Sequence, residues 1–242
     1  MPIPSASRPA SGASVAVRVG ALLGRWWYPV VVLLDRIPGP VSWRSWNARR
    51  QGRAFDRRYG TDTQAHAAVA ALGLSPALAR HAVHYEPSTI PKVQRALRHL
   101  RLPHREYVFV DVGSGKGLVS LLAARYPFRR VIGVEASSAL CRIAERNLAL
   151  YRLRGVLRAP VDFVNANALD HEYPAGKRVV YLYNPFDEML LETLVERLVR
   201  QNGVQDTVVV YVNPAHRHVF EKRDAFTTLY RDRTLVIYRI AQ

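Results

Sequence analysis

The sequence predicts an α/β fold in which helices cover a mainly parallel β-sheet. The first observation is a buried-type apolar strand, Val108–Val112, that leads through a glycine-rich turn into the helical run Leu118–Ala124. The second is that short apolar strands and helical segments continue to alternate along the chain. The third is a closing pair of strands around the polar turn 231–233. Together they predict a parallel sheet that ends in an antiparallel hairpin.

The turn after the first strand is the most informative segment of the chain. It contains Asp111, Gly113, Ser114, Gly115 and Gly117. Glycines accept positive φ and let a ligand approach the backbone closely, and the N-terminus of the following helix would face that ligand. The spacing therefore predicts a nucleotide-cofactor loop.

Two other cofactor loops fit less well. A phosphate-binding P-loop requires glycine where the chain has Val110, and Ser or Thr where it has Gly117. A dinucleotide-binding loop, as in nicotinamide-dependent oxidoreductases, places its third glycine where the chain has Leu118. The first alternative fails on both counts, and the second is weakened.

The next predicted strand, Arg130–Glu135, ends in a carboxylate 24 residues after Asp111. A carboxylate can accept hydrogen bonds from both hydroxyls of a ribose, so Glu135 is a candidate ribose ligand. The alternative is a solvated acid at a strand end. Ser137 is then predicted to cap a helix through Leu148, which leads to a third strand, 161–167.

The fourth predicted strand, Arg178–Tyr183, runs into Asn184, Pro185 and Phe186. An Asn carbonyl and a proline-fixed backbone carbonyl could hold an amine by two hydrogen bonds, with Phe186 packed over it. The alternative is a plain turn into a helix that begins after Asp187. The remaining predicted strands are 207–212, 226–230 and 234–240.

The loop from Asp111 to Gly117 resembles the first motif of class I S-adenosylmethionine (SAM) methyltransferases. The resemblance implies a Rossmann-like, seven-stranded sheet with a C-terminal antiparallel hairpin, and SAM as cofactor. It implies that Asp111 orders the loop and faces the methionine ammonium group, and that Glu135 holds the ribose. Asn167 and Ala168 stand where this family contacts the adenine.

The segments 55–63, 84–89 and 126–135 together resemble an uncharacterised bacterial family of class I SAM methyltransferases, and more distantly the protein-lysine methyltransferases that lack a SET domain. In those relatives the upstream segment closes over the methionine end of the cofactor, which implies that role for Tyr85 and for Ser88 or Thr89. The alternative is that residues 86–88 only break the chain before a helix over 90–100. Asn184–Phe186 resembles a shortened Asn/Asp-Pro-Pro-Tyr/Phe motif of amino-group methyltransferases. The resemblance thus implies methyl transfer to a nitrogen, such as a protein lysine.

Composition adds a strong positive charge. The net charge is +16 with a pI of about 10.6, and four of the 35 basic residues are lysine. Such a chain attracts polyanions or an anionic membrane surface. This keeps open a non-catalytic alternative, a basic scaffold that holds nucleic acid or membrane through a degenerate cofactor domain. The intact glycines and both carboxylates argue against it.

The chain is predicted to comprise a basic, aromatic N-terminal extension (1–54), a helical segment (55–104) and the methyltransferase core (105–242). The apolar run 26–34 is too short to span a bilayer and suits a helix or hairpin in a membrane interface, or a helical cap docked on the domain. The acid-free start of the chain, which carries Arg and Ser, also resembles an organelle transit peptide. We expect a cytoplasmic protein with possible peripheral membrane association. His216, His218 and Glu221 fit a solvated face better than a metal site, and no metal is predicted.

Overall fold

The computed structural model describes residues 40–65, 88–184, 186–201 and 206–241. The chain divides into two compact units, residues 1–48 and 49–242. In the first unit only residues 40–48 are described, and they begin a helix. The predicted N-terminal aromatic segment lies outside the described residues. Among the helices that are described, none is both long and apolar enough to cross a membrane.

Six α-helices, one short 3-10 helix (His104–Glu106) and seven strands make up the described structure. The α-helices and strands, numbered in chain order, are α1 (Pro40–Tyr59), α2 (Ile90–His99), β1 (Val108–Val112), α3 (Leu118–Ala123), β2 (Arg130–Glu135), α4 (Ser138–Arg154), β3 (Val161–Asn165), β4 (Arg178–Tyr183), α5 (Glu188–Arg200), β5 (Thr207–Val212), α6 (His218–Glu221), β6 (Phe226–Arg231) and β7 (Leu235–Ile240).

All seven strands form one sheet in the order β3-β2-β1-β4-β5-β7-β6. The first five strands are parallel, and β7 is antiparallel to both β5 and β6. This is the Rossmann-like class I methyltransferase sheet, so the predicted fold class is confirmed, including the C-terminal hairpin.

The central strands of the sheet are buried on both faces, which explains why they are continuous apolar runs, whereas the edge strand β6 is largely exposed. Every residue of β1 and of β5 is buried. Helices α2, α3 and α4 pack on one face around Phe109, and α5 and α6 pack on the other around Leu182. The helices therefore lie on opposite sides of the sheet, which opens a crevice at its edge.

Local signals set several element ends as predicted. Ser137 caps α4 by accepting a hydrogen bond from Leu140 N, and Asp187 caps α5 by accepting one from Leu190 N. The third strand is shorter than predicted and ends at Asn165 rather than residue 167. The Asn165 amide donates to the backbone carbonyls of residues 135 and 136, which turns the chain away from the sheet.

Candidate functional site

The candidate site lies at the carboxyl edge of the sheet, where β1 is flanked by β2 and β4. The helix after β1 packs on one face and the helix after β4 on the other, so chain order reverses here. Ligands of open α/β sheets bind at such switch points. Asp111 lies one residue before the end of β1, Glu135 ends β2, and Asn184 directly follows β4.

The glycine loop has the positive φ angles that its sequence predicts. The φ angles are +71° at Gly113, +53° at Gly115 and +86° at Gly117, a region that glycine reaches without steric cost. The amides of Gly113 and Ser114 donate to Val134 O at 2.9 and 3.1 Å. These bonds hold the loop against the end of β2.

Glu135 ties the loop to the second strand. Its Oε2 accepts a hydrogen bond from Gly115 N and its Oε1 accepts one from Ser137 N, both at 2.8 Å. Burial raises the pKa of this carboxyl, and the backbone donors oppose that shift. A carboxylate offers about four acceptor positions, so Glu135 keeps acceptor capacity for a ligand beside these backbone donors. The ribose role of Glu135 stays a prediction, and the loop-holding role is an addition to it.

Asp111 is almost fully buried one residue before the end of β1. Its Oδ2 accepts a hydrogen bond from Ser120 Oγ at 2.8 Å. The pKa of this carboxyl is raised to about 7, mainly by burial and also by the nearby negative charge of Glu135, while the hydrogen bonds from Ser120 oppose the shift. Two buried acids of like charge favour the arrival of a cation.

Gly117 and Gly133 are glycines for a reason of packing. A Cβ on Gly117 would lie 2.6 Å from Phe163 Cζ, and one on Gly133 would lie 2.5 Å from Phe163 Cδ1. The Phe163 ring thus occupies the space that both missing side chains leave. For Gly117, the predicted close approach to a ligand is in this structure a close approach to an aromatic ring.

The upstream turn is organised by Asp56. Its carboxylate accepts hydrogen bonds from Thr61 Oγ1 at 2.7 Å, from Thr63 Oγ1 at 2.8 Å, and from the amides of Thr63 and Gln64 at 3.0–3.1 Å. Gly60, with φ of +74°, lets the chain leave α1. This accounts physically for the acid, glycine and two threonines in segment 55–63.

Two residues that sequence reasoning missed dock this turn on the glycine loop. Asn147 of α4 is buried and donates to Lys116 O at 2.9 Å and to Asp62 O at 3.0 Å, while accepting from Asp62 N at 2.8 Å. The buried Lys116 Nζ pairs with Asp62 Oδ2 at 2.9 Å. The available signal was an amide on the apolar face of a helix, between Ala144 and Tyr151.

Asn167 and Ala168 form the turn after β3. Asn167 Oδ1 accepts from Leu169 N at 3.1 Å, and its amide donates to Asp170 at 2.8 Å. Ala168 is buried, and its carbonyl accepts from Tyr173 Oη at 3.0 Å. The Asn167 amide is therefore used locally to shape this turn, and its contact with adenine stays a prediction.

At the fourth strand end, Asn184 has φ of +42°, a conformation uncommon for a residue with a side chain. Its Oδ1 accepts from Tyr211 Oη at 3.0 Å. Phe186 is half-buried and packs on the α5 side of the sheet. Pro185 and Tyr85, both predicted site residues, lie outside the described residues.

A second strained Asn-Pro corner lies beside the first. Asn213, after β5, has φ of +50°, and its Oδ1 accepts a hydrogen bond from Lys92 Nζ at 3.1 Å. Lys92 also donates to Tyr183 Oη at 3.3 Å. Lys92 and Tyr183 were missed from sequence. The signal that could have found this cluster is the repeated Asn-Pro pair after two adjacent strands.

The two histidines do not meet Glu221. His218 Nε2 lies 2.7 Å from Glu188 Oε1, and His216 Nδ1 lies 3.7 Å from Glu188 Oε2. Glu221 instead pairs with Arg231. Over the part of the chain that the structure describes, no three His, Cys, Asp or Glu side chains are grouped as metal ligands would be.

Sheet order, glycine loop and paired strand-end acids together define a class I methyltransferase fold. Comparison with protein-family models and with curated proteins finds no match to this sequence. Among solved structures, a putative methylase from Haemophilus influenzae is 17% identical, with a TM-score of 0.48 over 63% of this chain and 98% of that one.

Two further structures are similar in the same range. A putative methyltransferase from Escherichia coli is 19% identical, with a TM-score of 0.47 over 64% of this chain and 89% of its own. An RNA methyltransferase from Salinibacter ruber, solved with S-adenosyl-L-homocysteine, is 19% identical, with a TM-score of 0.44 over 64% and 92%. These similarities concern the fold alone.

Proposed function

We propose that this chain is a SAM-dependent methyltransferase that acts on a nitrogen acceptor such as a protein lysine. The observation that carries the proposal is the pair of buried acids, Asp111 and Glu135, that frames a positive-φ glycine loop at the switch point of the sheet. The raised pKa of Asp111 indicates an acid whose charge is poorly compensated by the chain itself. A ligand with an ammonium group would supply that compensation.

The residues present fit this cofactor. The ammonium group suits Asp111, and the free acceptor positions of Glu135 suit a ribose diol. The Ser114 hydroxyl is buried and has no hydrogen-bond partner within the described part of the chain. An orphaned polar atom in a cofactor loop is a place where a ligand atom can be bound. Asn167 and Ala168 would border the adenine.

When bound, the cofactor supplies an activated methyl group on a sulfonium. The task of the chain is then to desolvate the acceptor nitrogen and to aim its lone pair along the line of displacement. We assign that task to Asn184, Pro185 and Phe186. The strained φ of Asn184 supports the assignment because strain of this kind is concentrated at functional sites, and Tyr211 orients the Asn184 amide.

The test of cofactor binding is calorimetric titration with S-adenosylhomocysteine, with NAD as the rival ligand. The variants are Asp111→Asn and Glu135→Gln, which keep side-chain shape, and the matched control is Glu145→Gln on the exposed face of α4. We expect saturable binding that weakens at least about tenfold, or roughly 1.4 kcal/mol, in each acid variant and is unchanged in the control.

The acceptor is tested separately with labelled methyl donor and three pools: lysine-containing proteins, RNA, and small amines. Incorporation into protein lysine that is lost in Asn184→Ala, with cofactor affinity retained, would support the amine assignment. Binding of NAD but not S-adenosylhomocysteine would overturn the proposed function. Methylation of another pool alone would overturn only the acceptor.

A further inference from the structure

A cleft of about 470 Å³ lies away from the glycine loop, between the C-terminal half of α2, the end of α3 and the segment that leads into β3. Its polar and exposed lining residues are Gln94, Arg98, Arg125, Tyr126, Val156 and Arg158. The nearby chain leads into the amino ends of β2 and β3, so the cleft is at the edge of the sheet opposite the candidate methyl-transfer site.

The cleft is strongly and uniformly positive. Arg98, Arg125 and Arg158 are all exposed, and none of them takes part in an ion pair in the described structure. No carboxylate lines the cleft as far as its residues are described. Elsewhere on the surface the chain does pair its arginines, as in Arg95 with Asp232 and Arg130 with Asp162. Three uncompensated guanidinium groups therefore face one concave surface.

The framework of the cleft is rigid. Leu97 and Leu122, which line its floor, are 1% and 2% exposed. The backbone amide of Arg158 donates to Ala124 O at 2.7 Å, and this bond holds the segment before β3 against the end of α3. The arginine side chains thus project from a fixed base, which lowers the entropy cost of binding a ligand.

The lining is not only charged. Val156 is 58% exposed, a high value for an apolar side chain, and the partly buried Tyr126 ring lines the same cleft, 5.5 Å from the His104 ring. Guanidinium groups bind phosphate oxygens bidentately, and an aromatic ring beside them can stack on a base. A volume of this size admits a nucleotide-sized group.

We propose that this arginine cleft, lined by Arg98, Arg125 and Arg158, binds the phosphodiester backbone of a single-stranded nucleic acid. The cleft is concave and is lined by an aromatic ring, so it suits a flexible strand better than a flat membrane surface. A flat membrane would contact the convex surface around the cleft before it reached these arginines. The net charge of +16 would speed the encounter. The site is separate from the cofactor loop, so it holds whether or not the chain transfers methyl groups.

The test uses the full chain and fluorescence anisotropy with a 15-nucleotide single-stranded RNA and the DNA of the same sequence. The cleft variant is Arg98→Gln/Arg125→Gln/Arg158→Gln. The matched control is Arg142→Gln/Arg200→Gln/Arg233→Gln, three exposed arginines on α4, α5 and the terminal hairpin turn that lose the same charge. A third variant changes the cleft arginines to lysine.

We expect the cleft variant to bind at least about tenfold more weakly, with the control within about threefold of the parent protein. Each phosphate contact on a single strand contributes about 0.7 to the slope of log affinity against log salt, so the cleft variant should lose about 2 from that slope. The lysine variant should keep the slope and lose affinity. RNA and DNA arms show which backbone is preferred.

Equal losses in the cleft and control variants would refute the site and indicate a diffuse field. Absence of binding to both strands would refute it as well. Cleft-dependent binding to phosphatidylserine vesicles or to polyglutamate, without binding to either strand, would overturn the proposed ligand in favour of a membrane or an acidic protein. Unchanged thermal unfolding and S-adenosylhomocysteine affinity in the cleft variant would establish that any loss is local.

Discussion

Replacing Gly117 with alanine tests the packing role that the structure assigns to this glycine. The new Cβ would lie 2.6 Å from Phe163 Cζ and 3.2 Å from Ala144 Cβ, at a φ of +86°. The left-handed backbone costs an L-residue about 1–2 kcal/mol, and overpacking costs about 1–3 kcal/mol. We therefore expect Gly117→Ala to lower the free energy of unfolding by about 2–5 kcal/mol, a large part of a domain's typical stability.

Two companion variants separate these causes in urea unfolding followed by circular dichroism. Gly60→Ala is the control for backbone strain, because Gly60 has φ of +74° and nothing within 4 Å of the new Cβ. It should cost about 1–2 kcal/mol. In a Phe163→Leu background the ring atoms nearest Gly117 are absent. Gly117→Ala should then cost about as little as Gly60→Ala does. If the costs of Gly117→Ala and Phe163→Leu add within about 0.5 kcal/mol in the double variant, Phe163 does not occupy this space, and the reasoning is refuted.

Three further predictions concern the same site. Asn147→Ala leaves the buried Lys116 carbonyl unpaired and removes two part-buried hydrogen bonds to Asp62. The free energy of unfolding, measured in urea, should fall by about 2–4 kcal/mol. A fall of under about 1 kcal/mol would show that Asn147 does not hold the upstream turn on the glycine loop. Because the pKa of Asp111 is raised to about 7, its contribution to stability is full below pH 4 and is lost as the pH rises through 7. Asp111→Asn should therefore flatten the pH dependence of the unfolding midpoint between about pH 5 and 7. An unchanged slope would count against a raised pKa for Asp111. Tyr211→Phe removes the hydrogen-bond donor to Asn184, so thermal unfolding should show a loss of stability of about 1 kcal/mol. Methyl transfer should weaken while cofactor binding stays unchanged. An equal loss of transfer and binding would indicate a general defect.

The loop backbone and the helix caps could be predicted from the sequence because their causes lie within a few residues. The glycine loop needs only its own backbone freedom, so its positive φ angles followed from the spacing of its glycines. The caps at Ser137 and Asp187 each bond an amide three residues onward. The third strand was predicted two residues too long because alternation continued past Asn165, whose side chain breaks the ladder by bonding the neighbouring turn.

The site was predicted in part. The positions of Asp111 and Glu135 near the ends of β1 and β2 could be predicted because each acid closes a short apolar run, which is a local signal. The contact between Lys92 and Asn213 was missed because the two residues are 121 positions apart in the chain, and no local pattern predicts such a contact. The arginine cleft was missed for the same reason, since its three arginines come from separate elements.

The sequence by itself determined the alternation of strands and helices, the cofactor-type loop and the closing hairpin, because periodicity, glycine spacing and capping act over short range. Only the tertiary structure decided what each of these residues contacts. It placed Phe163 in the space left by Gly117 and Gly133, and it set Asn147 between the upstream turn and the glycine loop. The physical reason is that side-chain burial and hydrogen-bond partners depend on which distant segments the fold brings together.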